Sequence, residues 1–283
     1  TAPPLVGSFV RLWANSDGKT NWDGGVGWQS LGTVSNVATK TNNTYSWVTP
    51  KNDAYLISEK ARLGISADTI GSQFDASDAN YTLAGIRIIS PALGDSLKRR
   101  DVTNIVWVSA GAPSGGVTLE ISQDGGVTWD PITNNAPNVS GTNTWTWTIY
   151  SRDPTTIAML RARANANSRI WGESAIFGIA DIEVRDPSKN TNWWIAATNT
   201  IKWTAGGVGD KVNLYYSTNS GMTWYDLAYE IANLDYPLTN ELQWIVPKDP
   251  TVEAKLKIEA FQFTNIFGLS SNFNISGLRL ESP

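Results

Sequence analysis

The amino-acid sequence predicts an all-β chain of three tandem two-layer sandwich repeats. Three observations carry this: self-similarity with a period of 96 residues, strand-type alternation inside each repeat, and no convincing amphipathic helix. The three repeats end alike. Ala84-Gly85-Ile86-Arg87-Ile88-Ile89-Ser90-Pro91 matches Ile179-Ala180-Asp181-Ile182-Glu183-Val184-Arg185-Asp186-Pro187, and both match Ile275-Ser276-Gly277-Leu278-Arg279-Leu280-Glu281-Ser282-Pro283. Other landmarks keep this phase. Trp107 and Trp203 each follow a boundary proline by 16 residues, and Trp47-Val48-Thr49-Pro50, Trp147-Thr148-Ile149-Tyr150 and Trp244-Ile245-Val246-Pro247 recur later.

The elements read as strands in order. Val10, Leu12 and Ala14, then Val117-Thr118-Leu119-Glu120-Ile121, then Val212-Asn213-Leu214-Tyr215-Tyr216 alternate core and solvent positions. Later in the repeats, Ala158, Leu160 and Ala162 alternate with Arg161 and Arg163, while Ala254, Leu256 and Ile258 alternate with Lys255 and Lys257. Such strands bury one face and offer charge on the other. About seven short strands per repeat of this length is the pattern of an immunoglobulin-like sandwich.

Proline removes a ladder donor and stiffens a connection, so Pro91 and Pro187 set the expected domains at 1–91, 92–187 and 188–283, joined as an elongated rod. The first domain is expected to lack its initial strands, because aligning Val10 with Val117 and Val212 sets Thr1-Ala2 beside Thr204-Ala205. The gap is expected to be filled either by preceding sequence or by a strand from another chain.

A turn precedes the middle of each repeat: Ser122-Gln123-Asp124-Gly125-Gly126-Val127-Thr128-Trp129, Ser217-Thr218-Asn219-Ser220-Gly221-Met222-Thr223-Trp224, and a weaker Asn15-Ser16-Asp17-Gly18-Lys19-Thr20-Asn21-Trp22. Asp or Asn can accept backbone N–H groups in a tight turn and Gly takes positive φ, so Asp17, Asp124 and Asn219 are read as turn caps. Trp22, Trp129 and Trp224 are expected to fill the core beneath. The turn resembles the Asp-box of sialidases, with a structural role. The intervals of 107 and 95 residues between these caps argue against a propeller.

The whole repeat is similar to immunoglobulin-like domains of bacterial secreted and surface proteins, related to the Ser-Thr-rich GPI-anchored family of fungal wall proteins. The likeness rests on the boundary proline, the Ile-x-Trp strand, the Asp-Gly-Gly-x-Thr-Trp turn and the Trp-x-Val-Pro element. It implies an extracellular, non-enzymatic module and assigns no ligand.

Most of the 14 tryptophans recur by repeat position and are read as core. Trp13, Trp28, Trp145, Trp171, Trp193 and Trp194 do not recur in all three repeats. Of these, Trp171, Trp193 and Trp194 are the candidate contact residues.

Composition excludes much chemistry. The chain has no Cys and no His, which removes thiol nucleophiles, disulfides and the commonest base and transition-metal ligand. Its net charge is −4 and its basic residues cluster no further than Lys98-Arg99-Arg100, so nucleic acid is not an expected partner. No apolar run is long enough to span a membrane. None of the 26 carboxylates forms an evident glycosidase pair, so no catalytic, metal or cofactor residue is expected. The reading is an extracellular structural or adhesive repeat protein, such as a unit of a surface layer, stalk or filament. It would associate with itself, with neighbouring repeats or with surface glycans. The alternative is a carbohydrate-binding accessory region of a larger secreted enzyme.

Overall fold

The computed structural model describes residues 9–22, 26–36, 43–48, 56–67, 73–111, 115–150 and 153–278. Thr1-Ala2 and Pro283, used above for alignment, lie outside them. The described chain is all-β and forms immunoglobulin-like sandwiches in tandem.

The first repeat contributes β1 (Phe9–Asn15), β2 (Gln29–Ser35), β3 (Ser58–Ala67), β4 (Phe74–Ala76) and β5 (Tyr81–Leu83), ordered β2-β1-β3-β4 with β5 on β3. Among the described residues this is one sheet, with no strands facing it.

The second repeat is a full sandwich. Its strands are β6 (Gly85–Ser90), β7 (Ser96–Lys98), β8 (Val102–Ala110), β9 (Val117–Ser122), β10 (Asp130–Ala136), β11 (Gly141–Thr148), β12 (Thr155–Ala164), β13 (Trp171–Glu173) and β14 (Phe177–Asp186). One layer is β11-β8-β6, and the other is β10-β9-β12-β14, with β13 on β12 and β7 parallel to β14.

The third repeat adds β15 (Asn192–Trp194), β16 (Thr198–Gly206), β17 (Lys211–Ser217), β18 (Tyr225–Ala232), β19 (Thr239–Ile245), β20 (Thr251–Ala260), β21 (Phe267–Leu269) and β22 (Phe273–Ser276). Its layers repeat the plan: β15-β22-β20-β17-β18 faces β16 and β19, and the end of β14 pairs with β16.

Alternation builds both cores. Val117, Leu119 and Ile121 of β9 and their ladder neighbours Leu160 and Ala162 of β12 point into the second core from one layer, and Val212, Leu214, Leu256 and Ile258 do the same in the third. Trp107 and Trp203 are fully buried at matching places. Their indole N–H groups cannot go unpaired there, and each donates to an asparagine oxygen, Asn138 Oδ1 at 2.8 Å and Asn233 Oδ1 at 3.3 Å. A second buried asparagine pins each of these loops. Asn143 Oδ1 accepts from Val139 N and Asn240 Oδ1 from Leu234 N.

The segments before Pro91 and Pro187 do two jobs. In the first, Tyr81 and Leu83 pair with β3 of the first repeat, and two residues on, Gly85 and Ile86 pair with β8 of the second. In the second, Ile179 pairs with β12 and β7, whereas Asp181 and Ile182 pair with β16. Hydrogen bonding therefore passes from one repeat to the next at Ala84 and between Ala180 and Asp181, upstream of the prolines. Each proline sits where the strand leaves one layer, so that β7 and β15 can join the opposite layer of the same sandwich. Lacking an N–H, proline suits a place where a ladder must end.

Candidate functional site

The turns of the second and third repeats share one hydrogen-bond plan. Ser122 Oγ accepts from Gly126 N at 2.8 Å and donates to Asp124 Oδ1 at 2.7 Å; Ser217 Oγ accepts from Gly221 N at 2.9 Å and donates to Asn219 Oδ1 at 2.8 Å. Asp124 then takes Thr128 N at 2.9 Å and Thr128 Oγ1 at 2.5 Å, and Asn219 Oδ1 takes Thr223 N at 2.9 Å. The hydroxyl and amide of Thr128, with the Ser122 hydroxyl, hold the Asp124 carboxyl down at about 2. Ser220 stands in the left-handed region at φ 57°, where the second repeat has Gly125. The first turn is built otherwise. Asn15 Oδ1 accepts from Asp17, Gly18 and Lys19 amides, so Asn15 is the cap and Asp17 is an exposed passenger.

The turn tryptophans do not fill the core beneath the loops. Trp129 is half-buried on the outer face of its sheet, where its Nε1 donates to Gly126 O at 3.0 Å and the Arg161 guanidinium lies 4.2 Å over its ring. Trp224 holds the matching place, with Lys257 5.7 Å from its ring. Trp22 packs against Trp13 at 4.8 Å and Phe74 at 5.3 Å.

On that outer face Glu120 bonds Arg161 at 2.8 Å and Arg163 at 2.6 Å. Burial alone would push the Glu120 carboxyl up, and the two guanidiniums outweigh it, holding it below the usual carboxylate range. Trp171 on β13 pairs in register with Arg163 and is half-buried.

The other two contact candidates part company. Trp193 is only 6% exposed and packs against Phe273 at 5.2 Å and Trp244 at 5.8 Å, inside the third core. Trp194 is 62% exposed. Adjacent strand residues face opposite ways, so the pair could not act as one surface.

The junctions between repeats recur as closely as the turns. Gly111 and Gly207 are one period apart and both left-handed, at φ 58° and 66°. A methyl on Gly111 would stand 2.6 Å from Thr82 Cγ2 and 2.8 Å from Ala84 Cβ, and one on Gly207 would meet the Ile179 carbonyl group and stand 3.1 Å from Ala180 Cα. Each glycine thus lets the loop after β8 or β16 lie against the last strand of the preceding repeat. Around Gly207, its N–H donates to Asp235 Oδ1 at 3.3 Å and its carbonyl accepts from Ser96 Oγ at 3.4 Å. Arg99 bonds Asp181 at 2.8 Å, and Lys98 Nζ lies 4.3 Å over the Phe267 ring. Sequence inspection missed these glycines, although their shared spacing was the available signal.

Among the described residues no three acidic side chains converge as a metal site, and no helix is long and apolar enough to cross a membrane. No protein-family model matches the chain, and no curated protein matches it by sequence. Among solved structures, the chain is similar to fibronectin(III)-like modules of Clostridium thermocellum CbhA at 15% identity, covering 67% of this chain and 92% of that one with a TM-score of 0.23. A three-Ig titin structure matches at 11% identity over 98% of this chain and 89% of that one, with a TM-score of 0.31. The N-terminal four Ig domains of Dscam1 match at 11% over 98% and 68%, with a TM-score of 0.29. The fold assignment stands on the sheets themselves.

Proposed function

We propose that the chain is a stiff, non-catalytic segment of an extracellular structural or adhesive protein, which positions surfaces at fixed spacing. Its domains are taken to change at Ala84 and at the Ala180–Asp181 bond, which refines the proline-marked boundaries by several residues. One observation carries the reading: β14 belongs to both the second and third repeats, β5 and β6 join the first and second with Ala84 alone between them, and a left-handed glycine seats the next repeat at each junction. Domains joined by a flexible linker swing freely, whereas a shared ladder fixes their relation. Partners of this segment are neighbouring repeats, further copies of the chain, or surface glycans.

Two measurements test it. Electron micrographs of the purified chain should show particles of one end-to-end length, and antibody raised to it should label intact source cells. Particles bent at random angles about the junctions, or label that enters only after permeabilisation, would overturn the reading.

A further inference from the structure

The two complete sandwiches treat the space between their layers differently. In the third repeat, Tyr216 of β17 reaches across to Trp244 of β19 with ring centroids 5.4 Å apart, and Tyr225 of β18 lies 5.3 Å from Tyr216. Trp193 closes the other side of Trp244 at 5.8 Å. Rings thus plug the gap between β18 and β19.

The second repeat keeps Trp147 at the place of Trp244 and replaces the plug. Ile121 stands for Tyr216, Asp130 for Tyr225 and Leu97 for Trp193. Aromatic rings appear instead on the walls, where Trp145 takes the position of Leu242 and Tyr150 that of Pro247. The result is a groove of about 380 Å³ between β10 and β11, lined by Ile121, Ile132, Trp145, Trp147 and Tyr150. That volume is in the range of small-ligand sites. Tyr150 stands at its mouth, 72% exposed.

The chemistry of the walls narrows the ligand. Among the described residues no charged side chain lines the groove, which favours a neutral occupant. Its lining also includes Thr146 and Thr148 on β11, the outer strand of its layer, beside which no further strand pairs among the described residues. Trp147 is core at 7% exposure and forms the floor, while the half-buried Trp145 indole and the exposed Tyr150 phenol offer flat faces to a ring of similar size. The opposite rim contains Pro131, which has no N–H, and the pairing of β10 slips twice, so it is a poor template for an added peptide strand.

We propose that the groove of the second repeat binds a neutral hexopyranose unit of an oligosaccharide, with the apolar ring face on Trp145 and Tyr150 and hydroxyls bonded along β11. The proposal goes beyond the structural role above and stands on the groove alone. It is tested by titrating the whole chain with glucose-, mannose-, galactose- and N-acetylglucosamine-based hexasaccharides, followed by tryptophan fluorescence and calorimetry. One series should bind saturably with one site per chain. Trp145→Leu, which installs the residue of the third repeat, should weaken binding by about tenfold, the scale of one lost ring stack. The double change Ile121→Tyr with Asp130→Tyr should abolish it by restoring the plug, and Trp194→Ala should leave it unchanged. Should the plugged variant misfold by circular dichroism, Trp145→Leu and Tyr150→Ala decide alone. Absence of binding across the panel, binding indifferent to the groove variants, or capture of Trp- and Tyr-bearing peptides in place of sugars would overturn the proposal.

Discussion

Gly207→Ala probes the junction most sharply. An alanine at φ 66° carries the left-handed penalty of about 1–2 kcal/mol. Its methyl would also stand 2.9 Å from the Ile179 carbonyl carbon, half an ångström inside the 3.4 Å at which ordinary contact begins. Neither side can yield freely. Ile179 is paired to Thr155 on one flank and Leu97 on the other, while the loop carrying Gly207 is tied to Asp235 and Ser96. Overpacking of this kind adds about 1–3 kcal/mol. Gly94 supplies the control, because it is left-handed at φ 80° with nothing within 4 Å of an added methyl. Urea denaturation followed by tryptophan fluorescence should therefore place Gly207→Ala below Gly94→Ala by the overpacking increment alone. Equal losses in the two variants would refute the claim that the loop is pressed on the preceding repeat.

Three further outcomes follow from the geometry. The Asp124 carboxyl is held at about 2, below the ordinary 3.8 of an aspartate, so its support of the turn is complete above about pH 4 and fades as pH falls through 2; amide exchange at Thr128 should rise over that window relative to Thr223, whose cap Asn219 does not titrate. Trp193→Ala should cost about 3–5 kcal/mol and Trp194→Ala less than about 0.5 kcal/mol in thermal unfolding, since one is core and the other solvated. Ser174 Oγ accepts the buried Leu160 N–H at 2.8 Å, as Ser270 does for Leu256 at 2.9 Å, so Ser174→Ala should destabilise by about 1–3 kcal/mol in the same assay and Ser174→Thr by less if its hydroxyl keeps the bond.

The sandwich class and the repeat period were legible because they rest on short-range pattern: alternation along Leu119, Leu160 and Leu256, and the recurrence of Trp107 at Trp203. The turns of the second and third repeats were legible for the same reason, since Asp124 and Asn219 bond residues four positions away. What depended on distant partners was not. The segment before Pro91 reads as the end of a repeat, yet its ladder partner is β8, beyond the proline. Trp193 and Trp194 are alike by composition, and only the pairing of β15 with β22 decides which enters the core. Asn15 displaced Asp17 as the first cap because its longer amide side chain reaches three backbone amides, where the matching Ser122 hydroxyl reaches two and leaves the rest to Asp124. Trp145 stood out as non-recurring but was not among the contact candidates, because its setting depends on the rings at Tyr216 and Tyr225 that the second repeat lacks.

The account rests on repeats locked by a shared strand. Because the chain has no cysteine, Thr144→Cys in the second repeat and Gln243→Cys in the third can be spin-labelled alone and their separation measured by pulsed electron paramagnetic resonance. A single distance distribution, no wider than that of a Gln243→Cys and Asn272→Cys pair within the third repeat, is the predicted result. A broad or two-peaked distribution across the Ala180–Asp181 bond would contradict it.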